Sequence, residues 1–477
     1  MDWRLRNMVK LYEKYEAVRK FPLLRAYLEN FENTSMENHI PGLLSFFFIQ
    51  GQVSVPYVRL PTGDSHLDLR VHVFWIQPSR SGKSISWNFI GDILKDINIP
   101  ATMYASGTDA GLAGSIIEIK GEKGEPPTTE VVDGLLSGRK CINFDEGSII
   151  LMPGKHSQET VLYLQSACNP IGTENNKIVK HMKNGVVENE SLVSLWITTF
   201  PPKGVKEYVL TKGIFQRVLL YWGEWDMDKR QGVSTMRLNT FGKKPQKVSM
   251  SKADIIEYFK ELDKRLRDRV LTLSDTKFIE WDSMTREEQE EEVQEIWWEC
   301  FTYGDDFRIA LQQAKDDYFE LVKIMDPSLS EVVASFLPGI ENYLGIFSTH
   351  IAMLDESWEV KPEYVDMAHE ILYDLFTNLI SWLEDEVEVG MKEAEKSHYK
   401  ERWIKAYNEC SEFDLGDRGP HWRRQTTTKK RYIANTGVSM PTANRHYKDY
   451  ATSLFNLTKD GSLNYIRLKG EKGVESS

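Results

Sequence analysis

The residues best suited to chemistry form a short turn after an apolar run. Phe74 to Ile76 is followed by a small-residue turn, which Gly82, Lys83 and Ser84 close at the start of a helical pattern. The N–H groups of such a turn can bind phosphate, a lysine can neutralise it, and a serine hydroxyl can coordinate magnesium. The sequence therefore predicts a phosphate-binding loop for ATP and Mg²⁺. Its residues would be Gln77, Pro78, Ser79, Arg80, Ser81, Gly82, Lys83 and Ser84, with Ser84 as a metal ligand. Because the usual pattern begins with a glycine where Gln77 stands, the motif alone leaves the prediction open.

An acidic pair at the end of a second apolar run fits the same chemistry. Cys141 to Phe144 is followed by Asp145 and Glu146. A nucleotide hydrolase needs a carboxylate near the magnesium ion and a base for the attacking water. We therefore predict Asp145 as a metal residue and Glu146 as the base. The alternative is a strand that simply ends in solvent.

Two further runs could complete a hydrolytic site. The β-prone run Leu192 to Thr199 ends in Thr198 and Thr199, either of which could sense the terminal phosphate. Arg217 stands just before Val218 to Trp222, and a fixed cation there can stabilise charge that develops in the transition state. Such an arginine would act on a neighbouring subunit and so implies an oligomer. The alternative is a surface arginine in an ion pair.

A basic hairpin is predicted between the acidic pair and the third run. Asn184-Gly185 separates two β-prone stretches and is a strong hairpin signal. The basic residues of this hairpin are Lys177, Lys180, His181 and Lys183. They could bind a phosphate backbone, and the alternative is a solvated surface hairpin.

These residues need a parallel sheet to bring them together. Residues 1–60 read as a helical segment interrupted by Pro22, and residues 61–225 alternate short apolar strands with helical segments. This alternation predicts an α/β core with a parallel sheet. Residues 226–410 would comprise a polar linker, to about Met250, and a helical lid whose helices include 285–300 and 329–355.

Residues 411–477 are expected to form a separate basic domain. The chain has a formal net charge of −12, yet between Arg418 and Gly470 eleven basic residues stand against two acidic ones, a local charge of +9. Helix, turn, helix and two β-prone runs predict a winged helix, with Ser439 as the N-cap of its second helix. The residues expected to contact DNA are Arg445, His446, Lys448 and Lys459. A winged helix can also bind protein.

Other protein classes are disfavoured by composition. The strongest apolar run, Ile40 to Ile49, is too short for a membrane span and contains Pro41 and Gly42. The chain begins without the pattern of a signal peptide, so we expect an intracellular protein without a membrane partner. Four scattered cysteines suggest neither a disulfide framework nor a zinc site.

The order of motifs resembles the AAA+ ATPases of the helicase clade that includes MCM proteins and superfamily 3 viral helicases. It is most similar to phage and plasmid replicative-helicase-like ATPases, over roughly residues 40–380. The resemblance rests on Pro78 with Gly82-Lys83-Ser84, on Asp145-Glu146-Gly147 and on the hairpin before the third strand. It implies a ring, expected to be hexameric, in which ATP hydrolysis between subunits moves DNA. A single strand would occupy the pore, and duplex or forked DNA the winged helix.

Three departures from this family leave alternatives open. Arg80 replaces a usual glycine and Gln77 a small residue, so either could crowd the loop, and Arg80 could instead become a phosphate ligand. Pro338 occupies the position of an expected second-sensor arginine, so none is assigned. The rival functions are a replication initiator or helicase loader with slow turnover, and a DNA-binding scaffold with a degenerate ATPase site.

Overall fold

The computed structural model describes most of the chain, apart from its two ends and several internal stretches. The described residues are 14–35, 38–63, 65–104, 109–119, 128–145, 147–151, 158–201, 205, 213–223, 227–242, 248–273, 300–325, 327–413, 415, 418, 421–436 and 440–469. The chain divides into two compact units, Met1–Glu384 and Asp385–Ser477.

The first unit is a mixture of helices and short strands. Its helices are α1 (Glu16–Lys20), α2 (Pro22–Thr34), α3 (His39–Ser54), α4 (Lys83–Asp96), α5 (Asp109–Ala113), α6 (Ser148–Leu151), α7 (Gln158–Ala167), α8 (Met227–Thr240), α9 (Lys252–Leu273), α10 (Asp305–Lys323), α11 (Pro327–Ala334), α12 (Leu337–Leu354) and the first part of α13 (Pro362–Asn408). Its strands are β1 (Arg59–Pro61), β2 (His66–Asp68), β3 (Val73–Ile76), β4 (Ala101–Tyr104), β5 (Gly114–Ile119), β6 (Thr128–Asp133), β7 (Gly138–Phe144), β8 (Lys177–Met182), β9 (Gly185–Thr199), β10 (Leu219–Trp222), β11 (Thr302–Tyr303) and β12 (Glu359–Val360).

Five parallel strands form the central sheet, as the sequence predicts. Their order is β10-β3-β9-β7-β4, and β8 pairs antiparallel with the first part of β9. Every residue of β3 is buried, which matches its uninterrupted apolar sequence. Because the strands are parallel, the residues that follow β3, β7 and β9 meet at one edge of the sheet. This carboxyl edge carries the predicted phosphate loop, Asp145 and the two threonines.

A fully buried helix connects the sheet to a helical layer. Residues 40–54 of α3 are all buried, so this helix has no polar face. The Phe46 ring packs against Tyr258 and Phe259 of α9, and the Phe47 ring lies 4.5 Å from that of Phe347 in α12. The apolar run from Ile40 to Ile49 is thus core sequence. Among the described residues, no helix combines the length and apolarity that a membrane crossing requires.

Several helix boundaries differ from the expectation. The predicted helix over 329–355 is two helices, α11 and α12, which are separated at Ser335 and Phe336 with Pro338 in the first turn of α12. The predicted linker between Asp226 and Met250 is wrong in part, because α8 lies within it. That stretch is polar but contains good helix formers such as Met, Lys, Arg, Gln and Leu. Of the predicted acidic helix, residues 285–299 lie outside the described residues.

The outer strand β10 has a side chain where a further strand would pair. Asn378 of α13 donates from Nδ2 to the carbonyl of Trp222 (2.8 Å) and accepts from its N–H through Oδ1 (2.9 Å). The Asn378 carboxamide thus satisfies both the N–H and the C=O of Trp222 at the edge of the sheet.

The second unit holds the end of α13 and a small three-stranded sheet. It contains β13 (Arg423–Arg424), α14 (Gln425–Thr436), α15 (Met440–His446), a π-helical turn (Tyr447–Ala451), β14 (Phe455–Asp460) and β15 (Leu463–Leu468), and its antiparallel sheet has the order β13-β15-β14. Trp403 of α13 stacks on Tyr432 of α14 with ring centroids 4.0 Å apart. The predicted strand pair is present as β14 and β15. The unit begins at residue 385 rather than 411, since the end of α13 supplies part of its core.

Candidate functional site

The predicted phosphate loop connects β3 to α4 at the carboxyl edge of the sheet. Lys83 is the first residue of α4, and Gly82 precedes it with a φ of +97°. Arg80 also has a positive φ, +68°. Glycine adopts this conformation freely, whereas a residue with a side chain pays roughly 1–2 kcal/mol. The loop therefore keeps the backbone that a glycine would favour, although an arginine occupies the position. The side chains of Ser79 and Arg80 are exposed.

Gln77, at the position of the missing glycine, is directed away from the loop. Its side chain is buried and accepts a hydrogen bond from Trp75 Nε1 (2.7 Å). It lies against Gly223, where an added Cβ would be 2.6 Å from Gln77 Cδ. The expectation that Gln77 could crowd the loop is thus wrong, because Gly223 leaves room for it beside the outer strand.

Lys83 folds back over the loop. Its Nζ donates to the carbonyl oxygens of Gln77 (2.5 Å) and Pro78 (3.0 Å). Burial lowers the pKa of Lys83 to about 8, and the negative charge of Asp145 opposes that shift. A partly desolvated cation in this position is suited to an anionic ligand. Ser84, in the first turn of α4, has an exposed side chain.

Asp145 and Thr198 are in direct contact. Thr198 Oγ1 donates to Asp145 Oδ1 over 2.7 Å, because β9 lies between β3 and β7 and ends beside both. The carbonyl of Thr198 also accepts from Gly147 N (3.0 Å). Thr199 is buried and donates to the carbonyl of Phe200 instead. Of the two candidate threonines, only Thr198 contacts the acidic residue. Glu146, the predicted base, lies outside the described residues.

Arg217 lies at the opposite edge of the sheet. It precedes β10, whose first residue is level with Val73 at the start of β3. Its Nε donates to Asn169 Oδ1 (2.5 Å), Nη1 donates to the carbonyl of Gly213, and its own carbonyl accepts from Tyr343 OH (2.7 Å). Within the described part of the chain, no carboxylate forms an ion pair with Arg217.

A buried arginine organises the surroundings of Arg217. Arg70 is fully buried, makes a two-point contact with Asp68 and donates to the carbonyl of Asn169 (2.6 Å). This arginine holds the pKa of Asp68 well below its usual range, although burial alone would raise it. Arg217 and Pro338 line one cavity of about 220 Å³ with these residues. Sequence reasoning missed Arg70, since nothing in the local pattern predicts a buried ion pair.

The predicted basic hairpin is formed by β8 and β9, with its turn one residue earlier than expected. Met182 pairs with Gly185, so Lys183 and Asn184 are the turn residues rather than Asn184 and Gly185. Lys183 and His181 are exposed and Lys180 is half-buried. Lys177, at the base, forms ion pairs with Glu174 (2.8 Å) and Glu188 (3.3 Å).

A second hairpin, β5 with β6, lies beside the basic one and was not predicted. Asn184 donates to Glu118 Oε1 (3.0 Å), and a Cβ at Gly185 would be 2.9 Å from Ile116 Cδ1. The signal was present in the β-branched runs 115–119 and 128–132 on either side of a glycine- and lysine-containing stretch.

In the second unit, most of the predicted DNA-contacting residues are exposed. Arg445 and Lys448 are exposed near α15, and Lys459 is exposed at the end of β14. His446 is an exception: its buried ring lies against Tyr399, and its Nδ1 is 3.0 Å from Tyr432 OH. The prediction that His446 faces DNA is wrong, because helical periodicity turns this position toward the core. Ser439, the predicted N-cap, lies outside the described residues.

The metal expected from the sequence is magnesium. Among the described residues, no group of three or more His, Cys, Asp or Glu side chains could enclose an ion. Mg²⁺ commonly takes one or two protein ligands and completes its shell with phosphates and water. The sequence predicts two such ligands, Ser84 and Asp145.

No protein-family model matches the sequence. A search of curated proteins likewise finds no significant match. Function must therefore be inferred from the geometry of the site.

Proposed function

We propose that this chain is an ATP-driven, ring-forming DNA helicase or translocase for the replication of a mobile element such as a virus or plasmid. In this proposal, residues 61–225 form an AAA+ core, residues 226–410 supply a linker and a helical lid, and residues 411–477 form a winged helix. The ring is proposed to be hexameric.

The contact between Thr198 and Asp145 carries this proposal. It joins the end of β7 to the end of β9. β9 is the neighbour of β3, the strand that leads into the phosphate loop. The charges of Lys83 and Asp145 are close enough to interact. One edge of the sheet thus presents a cation for phosphate, a carboxylate for metal and a hydroxyl that can report on both.

The residues present fit ATP and Mg²⁺. Lys83 and the loop N–H groups would hold the phosphates, and Ser84 with Asp145 would hold the metal. Bound Mg²⁺ would neutralise charge on the transferred phosphoryl group. Glu146, next to Asp145 in sequence, is proposed to orient the attacking water.

The position of Arg217 supports a site shared between two copies of the chain. Arg217 and Lys83 lie at opposite edges of one sheet, so a single copy cannot bring them to the same phosphate. A closed ring places the same pair of surfaces together at every interface. Arg217 of one copy would then face the loop of the next, held by Asn169 and Tyr343.

One continuous strand supports a coupling between hydrolysis and DNA movement. β9 spans 15 residues, from Gly185 beside the turn of the basic hairpin to Thr199, the residue after Thr198. A displacement of Thr198 would be transmitted along this strand to Lys180, His181 and Lys183. These residues are proposed to contact the DNA backbone, and Arg445, Lys448 and Lys459 to bind duplex or forked DNA.

Unwinding of a forked DNA substrate tests this function. We expect the wild type to unwind the fork and hydrolyse ATP in a DNA-stimulated manner, and Lys83→Ala and Glu146→Gln to do neither. DNA-stimulated hydrolysis without unwinding or translocation would eliminate the motor and leave an initiator or loader. DNA binding without any hydrolysis would leave a scaffold.

A further inference from the structure

The phosphate loop is supported from behind by side chains of the N-terminal helical segment. Asn38, which precedes α3, donates from Nδ2 to the carbonyl oxygen of Ser81 (2.7 Å) and to Ser35 Oγ (2.9 Å). Asn38, Ser35 and Ser81 are each at most 3% exposed. The loop carbonyl therefore has a fixed donor that is more than 40 residues away in sequence.

The next loop carbonyl, that of Gly82, accepts the first backbone hydrogen bond of α4, from Ser86 N (2.9 Å), and also faces Ser35 of the N-terminal segment. The hydroxyl of Ser86 is placed to donate to the carbonyl oxygen of Gly82 (2.9 Å) and lies 2.6 Å from Ser35 Oγ. Ser35 Oγ itself is 3.4 Å from that carbonyl. A Cβ at Gly82 would lie 3.0 Å from both Asn38 Nδ2 and Ser35 Oγ. Because position 82 is a glycine, the side chains of Asn38 and Ser35 can lie this close to the loop. Glycine also permits the positive φ at this position.

These contacts determine where the loop N–H groups point. In a trans peptide the C=O and the following N–H point in opposite directions. Asn38 holds the carbonyl of Ser81, so the N–H of Gly82 points away from the helical segment. The carbonyl of Gly82 is held by Ser86, through its backbone N–H (2.9 Å) and its hydroxyl, with Ser35 behind it, so the N–H of Lys83 also points away from them. Both donors are directed out of the N-terminal end of α4, where helix geometry favours an anion.

We propose that Asn38, with Ser35 and Ser86, positions the phosphate loop by fixing the peptide groups that bind the β-phosphate of a nucleotide. This inference rests on the proposed ATP site and assigns a binding role to the N-terminal segment. These three residues contact the loop backbone and are positioning residues. They affect ATP and ADP alike, since both nucleotides carry a β-phosphate.

Equilibrium binding of ATP and ADP and steady-state ATP hydrolysis test the proposal with Asn38→Ala, Asn38→Asp and Ser35→Ala. We expect Asn38→Ala to raise the Kd for both nucleotides and the KM for ATP about fivefold to tenfold, with kcat changed less than about twofold. Asn38→Asp should cost more, because a carboxylate oxygen would face the carbonyl of Ser81. Ser35→Ala removes one hydroxyl only and should raise Kd in the same direction.

Asn30→Ala is the matched control. Asn30, in α2, also donates to two backbone carbonyls, those of Ala26 and Met250, but it makes no contact with the loop. A merely structural role would shift the unfolding temperature in all of these variants without separating KM from kcat. Unchanged Kd values in folded Asn38→Ala and Ser35→Ala would overturn the inference. Lys83→Ala distinguishes a failure of this inference from a failure of the proposed function. If Lys83→Ala binds ATP as the wild type does, the proposed function itself fails.

Discussion

Thr198 and Thr199 are adjacent and identical in type, and only the fold distinguishes them. Successive residues of a strand point to opposite faces. Thr198 therefore reaches Asp145, whereas Thr199 donates to the next carbonyl. The sequence could indicate that one of them matters, but not which, because the choice depends on the register of β9 between β3 and β7.

Replacing Thr198 by valine removes the hydroxyl and keeps the shape. We expect Thr198→Val to lower kcat for ATP hydrolysis at least about tenfold while ATP binding changes little, because Asp145, the carboxylate proposed to hold the metal, loses its orienting donor. Steady-state hydrolysis and equilibrium binding would measure the two effects. Thr199→Val is the control and should retain kcat within about threefold. Equal losses in both variants would contradict the distinction.

Lys83 should make ATP binding depend on pH. Burial lowers its pKa to about 8, so the free protein loses this charge as the pH rises through 8, whereas bound phosphate favours the charged form. Affinity is therefore greatest below pH 8, and we expect Kd for ATP to be about tenfold higher at pH 9 than at pH 7. Lys83→Arg, which stays charged, should flatten this dependence. A flat profile in the wild type would show that the lysine does not titrate in this range.

Among the elements, the central strands could be predicted from the sequence. The side chains that hold the phosphate loop and β10 in place could not. β3, β4, β7 and β10 lie where short apolar or β-prone runs stand in the sequence. β3 is buried and apolar throughout, as a strand covered on both faces must be, whereas the edge strand β4 is partly exposed. The hydrogen bonds of Asn38 with the phosphate loop and of Asn378 with β10 join residues that are far apart in sequence, so no local sequence pattern predicts them. The positive φ of Arg80 could not be predicted for a different reason: arginine is not a residue type that indicates this backbone conformation.

The packing of Gln77 on Gly223 predicts an energetic coupling between loop and strand. Gly223→Ala would force Gln77 from its bond with Trp75, and we expect it to lower the free energy of unfolding by about 1–2 kcal/mol. The same change should cost less when Gln77 is already alanine. Urea unfolding of the two single variants and the double variant measures this coupling. Gly91→Ala, with nothing within 4 Å of the added Cβ, should not destabilise. Simple additivity of the two costs would show that Gln77 and Gly223 do not interact.

The basic hairpin offers its own internal control. Lys183 is exposed at the turn, whereas Lys177 is paired with Glu174 and Glu188. We expect Lys183→Ala to weaken DNA binding and reduce its logarithmic dependence on salt by about one unit, because one phosphate contact is lost. Lys177→Ala should have a much smaller effect. A titration with single-stranded DNA at several salt concentrations would measure both, and equal effects would contradict the assigned geometry.

For the whole molecule, the two edges of the sheet are the basis for proposing that a second copy of the chain completes the site. The loop, Asp145 and Thr198 lie at the carboxyl edge, and Arg217 lies at the other with its backbone and guanidinium held in place. The order of motifs along the chain predicted these components. Their division between opposite edges follows from the parallel pairing of β3 and β10, which makes the second copy necessary for the proposed chemistry.

Mixing two inactive variants tests this requirement most directly. Lys83→Ala lacks the loop lysine and Arg217→Ala lacks the arginine, so each alone should lose DNA-stimulated ATP hydrolysis. In a random mixture of equal amounts, about a quarter of the interfaces would pair an intact loop with an intact arginine. We therefore expect the mixture to recover about a quarter of the wild-type rate. No recovery in mixed oligomers, or full activity of Arg217→Ala alone, would contradict a site shared between copies.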